Sequence, residues 1–334
     1  MSKIGRPRVL LVCYAGAHIG LGHLSRLLAL AQALKKDSRV QSEFLVFGEP
    51  ICKDGLNDFK THFIPASTDV LTSVTRFVTE ETTCVVFDLY AQDQINNLGS
   101  LFIGLKTRGI SIINVDSLTN YSHLLDLIWI PSFYFKVNQA LDYPDKIKYG
   151  WDCYLIQKNL LTPNWKPGTD VLVLTGGSDM THLGQKLPEQ IDCSLKAGTH
   201  IHWVRGPFAK PPNLPKQPRL KWSVYHAPER LDELIVQSNY VLTVFGVSFF
   251  EVLQYGIPTV VFSPYEHQDP HEMVALTNQD VAMVSKNVNT ALNDLIELMN
   301  NNDIALTYSE NALKKLSVNG SKRLSEVVCS LARV

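Results

Sequence analysis

The chain has 334 residues, 45% of them hydrophobic and 19% charged, with a formal net charge of −1. The length suits roughly two domains of about 150 residues, and the near-neutral balance argues against nucleic acid or an anionic membrane surface as partner. No segment approaches the 18 or more consecutive apolar residues of a membrane span.

The chain opens with "MSKIGRPRVLLVCYAG". A secretory signal needs a longer apolar core and a small-residue cleavage site, so the run reads as a buried first strand. The six cysteines (Cys13, Cys52, Cys84, Cys153, Cys193, Cys329) are scattered and never form CxxC. Several fall within apolar runs, where reduced, buried thiols are the default, and a cytoplasmic location is the expectation.

Apolar runs of strand length follow: "RVLLVCYA", "SEFLVFG", "THFIPA", "TCVVFDLY", "GISIINVD" and "DLIWIPS". Continuous rather than alternating apolar character marks parallel strands covered on both faces. Helical patterns over residues 22–36 and 90–108 lie between them. The rhythm breaks at "LIQKNLLTPNWKPGTD", then restarts with "DVLVLTGGSD", "THIHWVRG", "LKWSVYHA", "NYVLTVFG" and "PTVVFSP". Helical patterns in this half cover about 182–197, 228–238 and 247–256. The proline-rich "KPPNLPKQPRLKW" reads as a solvated loop despite its basic residues. The expected fold class is therefore α/β, with two doubly wound, Rossmann-like domains facing a cleft. Residues 1–155 form the first, 156–168 a linker and 169–334 the second, whose last helix is free to pack back on the first domain.

Three glycine-bearing turns sit where strand passes to helix, the edge at which open parallel sheets gather ligands. The first is "AHIGLGHLSR": Gly20 and Gly22 let backbone approach a ligand, and His23 at the helix mouth offers a proton-exchanging imidazole. It is neither GxGxxG, since Ser25 replaces the third glycine, nor a Walker A loop, since no GK[ST] follows. The second is "LTGGSDMTH", with Gly176, Gly177, Ser178 and Asp179; Asp179 equally suits a helix cap. The third is "TVFGVSFFEVLQYGIP", where Gly246, Val247 and Ser248 open a helix suited to phosphate. Glu251, one turn in, suits a neutral hydroxyl pair such as a ribose. The following strand ends in Glu266-His267-Gln268. A metal site from His267, Asp269, His271 and Glu272 is disfavoured, because Pro270 spoils the helical spacing.

In this order and spacing the turns resemble nucleotide-sugar enzymes of the GT-B fold. More narrowly, they resemble the family of the UDP-sugar hydrolase of pseudaminic acid biosynthesis and the spore-coat polysaccharide proteins. "IGLGHLSR" matches that family's IGxGHxxR through Gly20, Gly22, His23 and Arg26. The GGsD turn matches Gly176 to Asp179, and G-x-S-x-x-E followed by GxP matches Gly246, Ser248, Glu251, Gly256 and Pro258. "FDLY" (Asp88, Tyr90) and "YGWDCYLI" are smaller echoes, and the likeness covers almost the full length. The resemblance implies a catalytic His23 near the sugar's anomeric carbon and a second domain holding UDP. It implies neither a divalent metal nor another cofactor.

Hydrolase members carry Arg-x-Asp before the glycine element, where this chain has "CYAGAH", and Asn-Gln where it has His267-Gln268. His-Gln is closer to sugar-transferring members. The expectation is a glycosyltransferase using a UDP-sugar, or another nucleotide-sugar, in surface polysaccharide or glycoconjugate assembly. The partners would be that donor and a glycan or small-molecule acceptor, with His226 and Tyr225 near the base. A UDP-sugar hydrolase is the first alternative and a non-catalytic nucleotide-sugar-binding protein the second. For a lipid-linked acceptor, "SLFIGL" and "SFYFKV" offer apolar contact with a membrane periphery, although core packing is the preferred reading.

Overall fold

A computed structural model of the chain describes residues 6–53, 55–89, 97–135, 143–265 and 270–332. The chain divides into two compact units, one holding residues up to Gln157 and again from Val318, the other Lys158–Ser317.

The first unit runs β1 (Arg8–Tyr14), α1 (Gly22–Asp37), β2 (Gln41–Phe47), β3 (Lys60–Ile64), α2 (Val70–Phe77), β4 (Thr82–Asp88), α3 (Leu98–Thr107), β5 (Ser111–Val115), β6 (Leu127–Ile130) and β7 (Ile147–Tyr149). The second runs β8 (Asp170–Leu174), α4 (Leu183–Ser194), β9 (His200–Arg205), β10 (Lys221–His226), α5 (Leu231–Gln237), β11 (Tyr240–Val244), α6 (Val247–Leu253), β12 (Thr259–Phe262), α7 (Pro270–Thr277), β13 (Met283–Ser285), α8 (Val288–Asn300) and α9 (Asn302–Lys315). The last helix, α10 (Gly320–Leu331), belongs to the first unit.

Both sheets are parallel. Their orders are β3-β2-β1-β4-β5-β6-β7 and β10-β9-β8-β11-β12-β13. Each winds outward in one direction, returns to the middle and winds outward in the other. The order therefore reverses between β1 and β4 in one sheet and between β8 and β11 in the other. Crevices open at such reversals, beyond the carboxyl ends of the strands.

Alternation along β1 explains its continuous apolar run. Val9, Leu11 and Cys13 enter the core under α1, while Leu10 and Val12 enter the opposite core under α2 and α3. Along α1, Leu24, Leu27, Leu28, Ala31 and Leu34 recur at helical spacing and bury one stripe. Leu324, Val328 and Cys329 of α10 join that core, completing the cover over α1.

Every apolar run read from the sequence overlaps one of these strands, starting within a residue or two of it. Strands β7 and β13 were not anticipated: each has three residues, "IKY" and "MVS", too short to show a pattern. The stretch expected as linker is largely packed on the second unit. Trp165 joins its core and its Nε1–H donates to the Asn239 carbonyl at 2.7 Å, while the N–H groups of Asn159 and Leu160 donate to Tyr255 Oη. The helix expected over 90–108 is α3 from Leu98 onward; residues 90–96 lie outside the described residues.

In "SLFIGL", Leu101, Phe102 and Leu105 are buried in the core and Ile103 is exposed. Phe133 of "SFYFKV" stacks on Trp151 with centroids 4.9 Å apart. Among the described residues, no helix is long and apolar enough to cross a membrane.

Candidate active site

After β1 the chain pinches into a small closed loop. The Gly16 and Gly20 backbones bond each other in both directions, at 3.2 and 2.7 Å, and Gly20 takes φ +83°. That conformation favours glycine. Helix α1 then begins at Gly22, capped by no side chain at Leu21 and with no acidic residue in its first turn. His23 and Arg26, three residues apart, share one flank of the helix.

Two neighbouring strands end in carboxylates beside that flank. Asp88 closes β4 after the apolar residues 84–87, and Asp116 follows β5 with φ +79°. The Asp88 side chain is fully buried, yet both its oxygens are engaged. His23 Nδ1 lies 2.6 Å from Oδ1, and Arg26 donates from Nη2 to Oδ1 at 2.7 Å and from Nε to Oδ2 at 2.9 Å. Arg26 Nη1 donates to Asp116 Oδ2 at 3.0 Å. Ser117 Oγ–H donates to the Leu89 carbonyl at 3.1 Å, tying the loops after β4 and β5 together.

Burial by itself would push the Asp88 carboxyl up. The Arg26 guanidinium and the His23 ring outweigh it and hold Asp88 below the usual carboxylate range. Burial likewise works against the charge on Arg26, but Asp88 and Asp116 raise its pKa overall. An ionised carboxylate only accepts, so the 2.6 Å contact requires a proton on His23 Nδ1. Arg26 Nη2, though 2.9 Å from that nitrogen, therefore directs its hydrogen to Asp88 Oδ1. The tautomer so selected carries its lone pair on Nε2, the arrangement of a general base oriented by a carboxylate. Arg26 was expected to contact the donor. Its nitrogens are instead committed to two carboxylates, and it acts as the counter-ion that keeps Asp88 charged.

In the second unit the Gly176-Gly177-Ser178 turn follows β8, at the reversal of strand order. Gly206 packs against it so closely that a Cβ there would stand 2.3 Å from the Gly177 carbonyl oxygen. The Phe208 N–H donates to that same carbonyl at 3.1 Å. Asp179, expected among the donor contacts, is buried, and its two oxygens each accept at 2.8 Å from the N–H groups of Leu183 and Gly184. It caps α4, the other role its sequence suited.

On the far side of the same reversal, Gly246 is exposed and α6 opens at Val247-Ser248, with no side-chain cap and no acid in its first turn. Glu251 is half-buried three residues after Ser248. The other side of α6 carries Phe249, Phe250, Val252 and Leu253 into the core. His226 is exposed at the end of β10, whereas Tyr225 packs against the core and stacks on His202. His267 and Gln268 lie outside the described residues, as does Asp269 of the metal set considered above.

The structure thus gathers His23, Arg26, Asp88 and Asp116 at one reversal, and the 176–178 and 246–248 turns at the other. Asp116 and Gly206 were missed. The signal for Asp116, and for a larger role of Asp88, was two apolar runs, "TCVVFD" and "GISIINVD", each ending in an acid at the edge where ligands bind.

No protein-family model and no curated protein matches the chain. Solved structures do resemble it. MurG of Acinetobacter baumannii aligns over 97% of this chain and 100% of its own, at 15% identity and a TM-score of 0.62. UGT2 of Phytolacca americana, complexed with UDP-2-fluoro-glucose and pterostilbene, covers 97% and 99% at 14% identity and a TM-score of 0.63. S. aureus MnaA with UDP covers 98% and 97% at 12% identity and a TM-score of 0.62. With two parallel α/β sheets of this topology, the chain has the GT-B fold.

Proposed function

We propose that the protein is a metal-independent glycosyltransferase that moves a sugar from a UDP-sugar to an acceptor hydroxyl in polysaccharide or glycoconjugate assembly. The observation that carries this reading is the His23–Asp88 pair at the strand-order reversal of the first unit. The fold adds support, because chains of the same fold have been solved with UDP and with a UDP-sugar analogue.

In this reading Asp88 holds the Nδ1–H of His23 and so orients the ring. As the acceptor oxygen bonds to the anomeric carbon, Nε2 takes its proton. The bond from that carbon to the UDP oxygen breaks, and its electron pair leaves with the diphosphate. With a neutral imidazole, Arg26, Asp88 and Asp116 sum to one negative charge. A developing imidazolium is therefore compensated where it forms.

The diphosphate is assigned to the start of α6 at Gly246, Val247 and Ser248, with Gly176, Gly177 and Ser178 alongside. Backbone N–H groups and the helix dipole favour an anion there. Glu251 is assigned to the ribose, His226 to the base, and His267 with Gln268 to the donor sugar.

The test is a panel of UDP-sugars with and without acceptor alcohols, read by UDP release. Acceptor-dependent release supports transfer. Fast stoichiometric release without acceptor supports hydrolysis, and binding without turnover supports a non-catalytic protein. A thermal-shift comparison of UDP, CMP, GDP and TDP fixes the base. Saturating ligand at a hundredfold excess over Kd stabilises by about 2.7 kcal/mol.

A further inference from the structure

The amino ends of the strands in the second unit, opposite the glycine turns, hold a second group of polar side chains. Asp170 is the first residue of β8 and His200 the first of β9, and the two are paired in register. His202, two residues on, points to the same face. Asp170 Oδ1 lies 2.9 Å from His202 Nε2 and 3.2 Å from His200 Nδ1, and the two rings stand 4.0 Å apart. Strand β10 supplies hydroxyls to the remaining ring nitrogens: Ser223 Oγ is 2.9 Å from His200 Nε2, and Tyr225 Oη is 3.2 Å from His202 Nδ1.

We infer that Asp170, His200 and His202 form a binding site for one divalent transition-metal ion of the zinc class, clamping β8 to β9 at the strand edge opposite the glycine turns of the second unit. Among the described residues, this set brings three candidate ligand atoms within 4.8 Å of one another. Tetrahedral zinc with bonds of about 2.0–2.1 Å separates its ligand atoms by about 3.4 Å, so the two spacings to Asp170 Oδ1, 2.9 and 3.2 Å, need to open only slightly. Both histidines come from a regular strand, which fixes their separation before any ion arrives.

The hydroxyls make the site work in two states. Without metal, both rings donate to Asp170, and Ser223 and Tyr225 donate to the rings. With metal, His200 Nδ1 and His202 Nε2 turn their lone pairs to the ion. The opposite nitrogens then carry the protons and donate to the same hydroxyls, which accept as readily as they donate. No buried polar atom of the group loses its partner in either state. Asp170 is 40% exposed, leaving an entry side on which water completes the coordination. The exposed Lys221, paired in register with His200, is the charge that opposes an incoming cation.

The experiment takes the untagged full chain, strips it with a chelator, desalts it and titrates it with Zn2+ and Co2+. Bound metal, calorimetry and the cobalt absorption spectrum are the readouts. One saturable equivalent with a nitrogen–oxygen cobalt spectrum is expected in wild type and in Cys52→Ser/Cys193→Ser, which lacks the exposed thiols. His200→Asn/His202→Gln should lose it. Tyr225→Phe should weaken it about 10–100-fold, the usual effect of removing a partner that orients a ligand, and Lys221→Ala should tighten it.

Histidine nitrogen NMR on the wild-type protein gives an answer that depends on no variant. Zinc should move the His200 proton from Nδ1 to Nε2 and the His202 proton from Nε2 to Nδ1. Equal binding in wild type and the double variant, or unchanged tautomers at saturating zinc, overturns the site and leaves a hydrogen-bonded network only.

Discussion

Replacing Asp88 with asparagine tests the proton-transfer arrangement most directly. The carboxylate receives three short contacts on two oxygens: His23 Nδ1 at 2.6 Å, Arg26 Nη2 at 2.7 Å and Arg26 Nε at 2.9 Å. An asparagine offers one accepting oxygen, turns an N–H group toward the guanidinium, and removes the charge. Breaking one side of a buried ion pair costs about 3–5 kcal/mol. Asp116 remains as a partner for Arg26, so the lower end, about 3 kcal/mol, is expected. At about 2–4 °C per kcal/mol for a unit of this size, Tm falls by about 6–12 °C. The rate should fall about 100- to 10,000-fold, or about 2.7–5.5 kcal/mol in the barrier, because the imidazole loses its oriented tautomer. His23→Gln should lose a similar factor in rate with a much smaller change in Tm. The combined variant decides the matter. If Asp88 acts through His23, the double variant turns over UDP-sugar no more slowly than His23→Gln alone. Multiplying losses, or an Asp88→Asn enzyme of normal rate, would refute the reasoning.

Three further outcomes follow from the same geometry. Asp88 is held below its unfolded value of about 3.9, so its contribution to stability is present above about pH 4 and lost as pH falls through the lower folded-state value; urea melts from about pH 6 down to about pH 3 should show that loss in wild type and not in Asp88→Asn. Gly206→Ala drives a Cβ to 2.3 Å from the Gly177 oxygen and should cost about 1–3 kcal/mol and weaken UDP binding, whereas Gly104→Ala, with open space on a helix, should stabilise by about 0.5–1 kcal/mol. Asp179→Ala removes the cap of α4 and should cost about 0.5–2 kcal/mol by thermal melt, leaving UDP affinity unchanged.

Strand positions were legible because parallel strands covered on both faces must be apolar throughout, and "RVLLVCYA" or "NYVLTVFG" can hardly be anything else. The glycine turns were legible for a related reason: at Gly20 a left-handed backbone leaves few residue choices. What stayed hidden depends on residues distant in the chain. Arg26 reads as a ligand for an anion until Asp88 and Asp116, 62 and 90 positions away, are folded against it. Asp179 suited a cap and a ligand equally, and only the direction of the Leu183 and Gly184 N–H groups separates them. Gly206 carries no local signal, because the backbone it must avoid belongs to residues 176 and 177. Likewise His200 and His202 look like ordinary alternation in "THIHWVRG" until β8 and β10 flank them.

The return of α10 to the first unit bears on how the molecule is made. The stripe of leucines on α1 leaves the ribosome well before α10, the helix that helps cover it, because the whole second unit lies between them in the chain. The contiguous middle of the chain, residues 158–317, can close before that cover arrives. Assembly is thus expected to finish out of order, with the segment around α1 waiting, partly uncovered, for α10 to leave the ribosome. A nascent chain stalled before Val318 should accordingly be protease-resistant in its middle and still sensitive around α1.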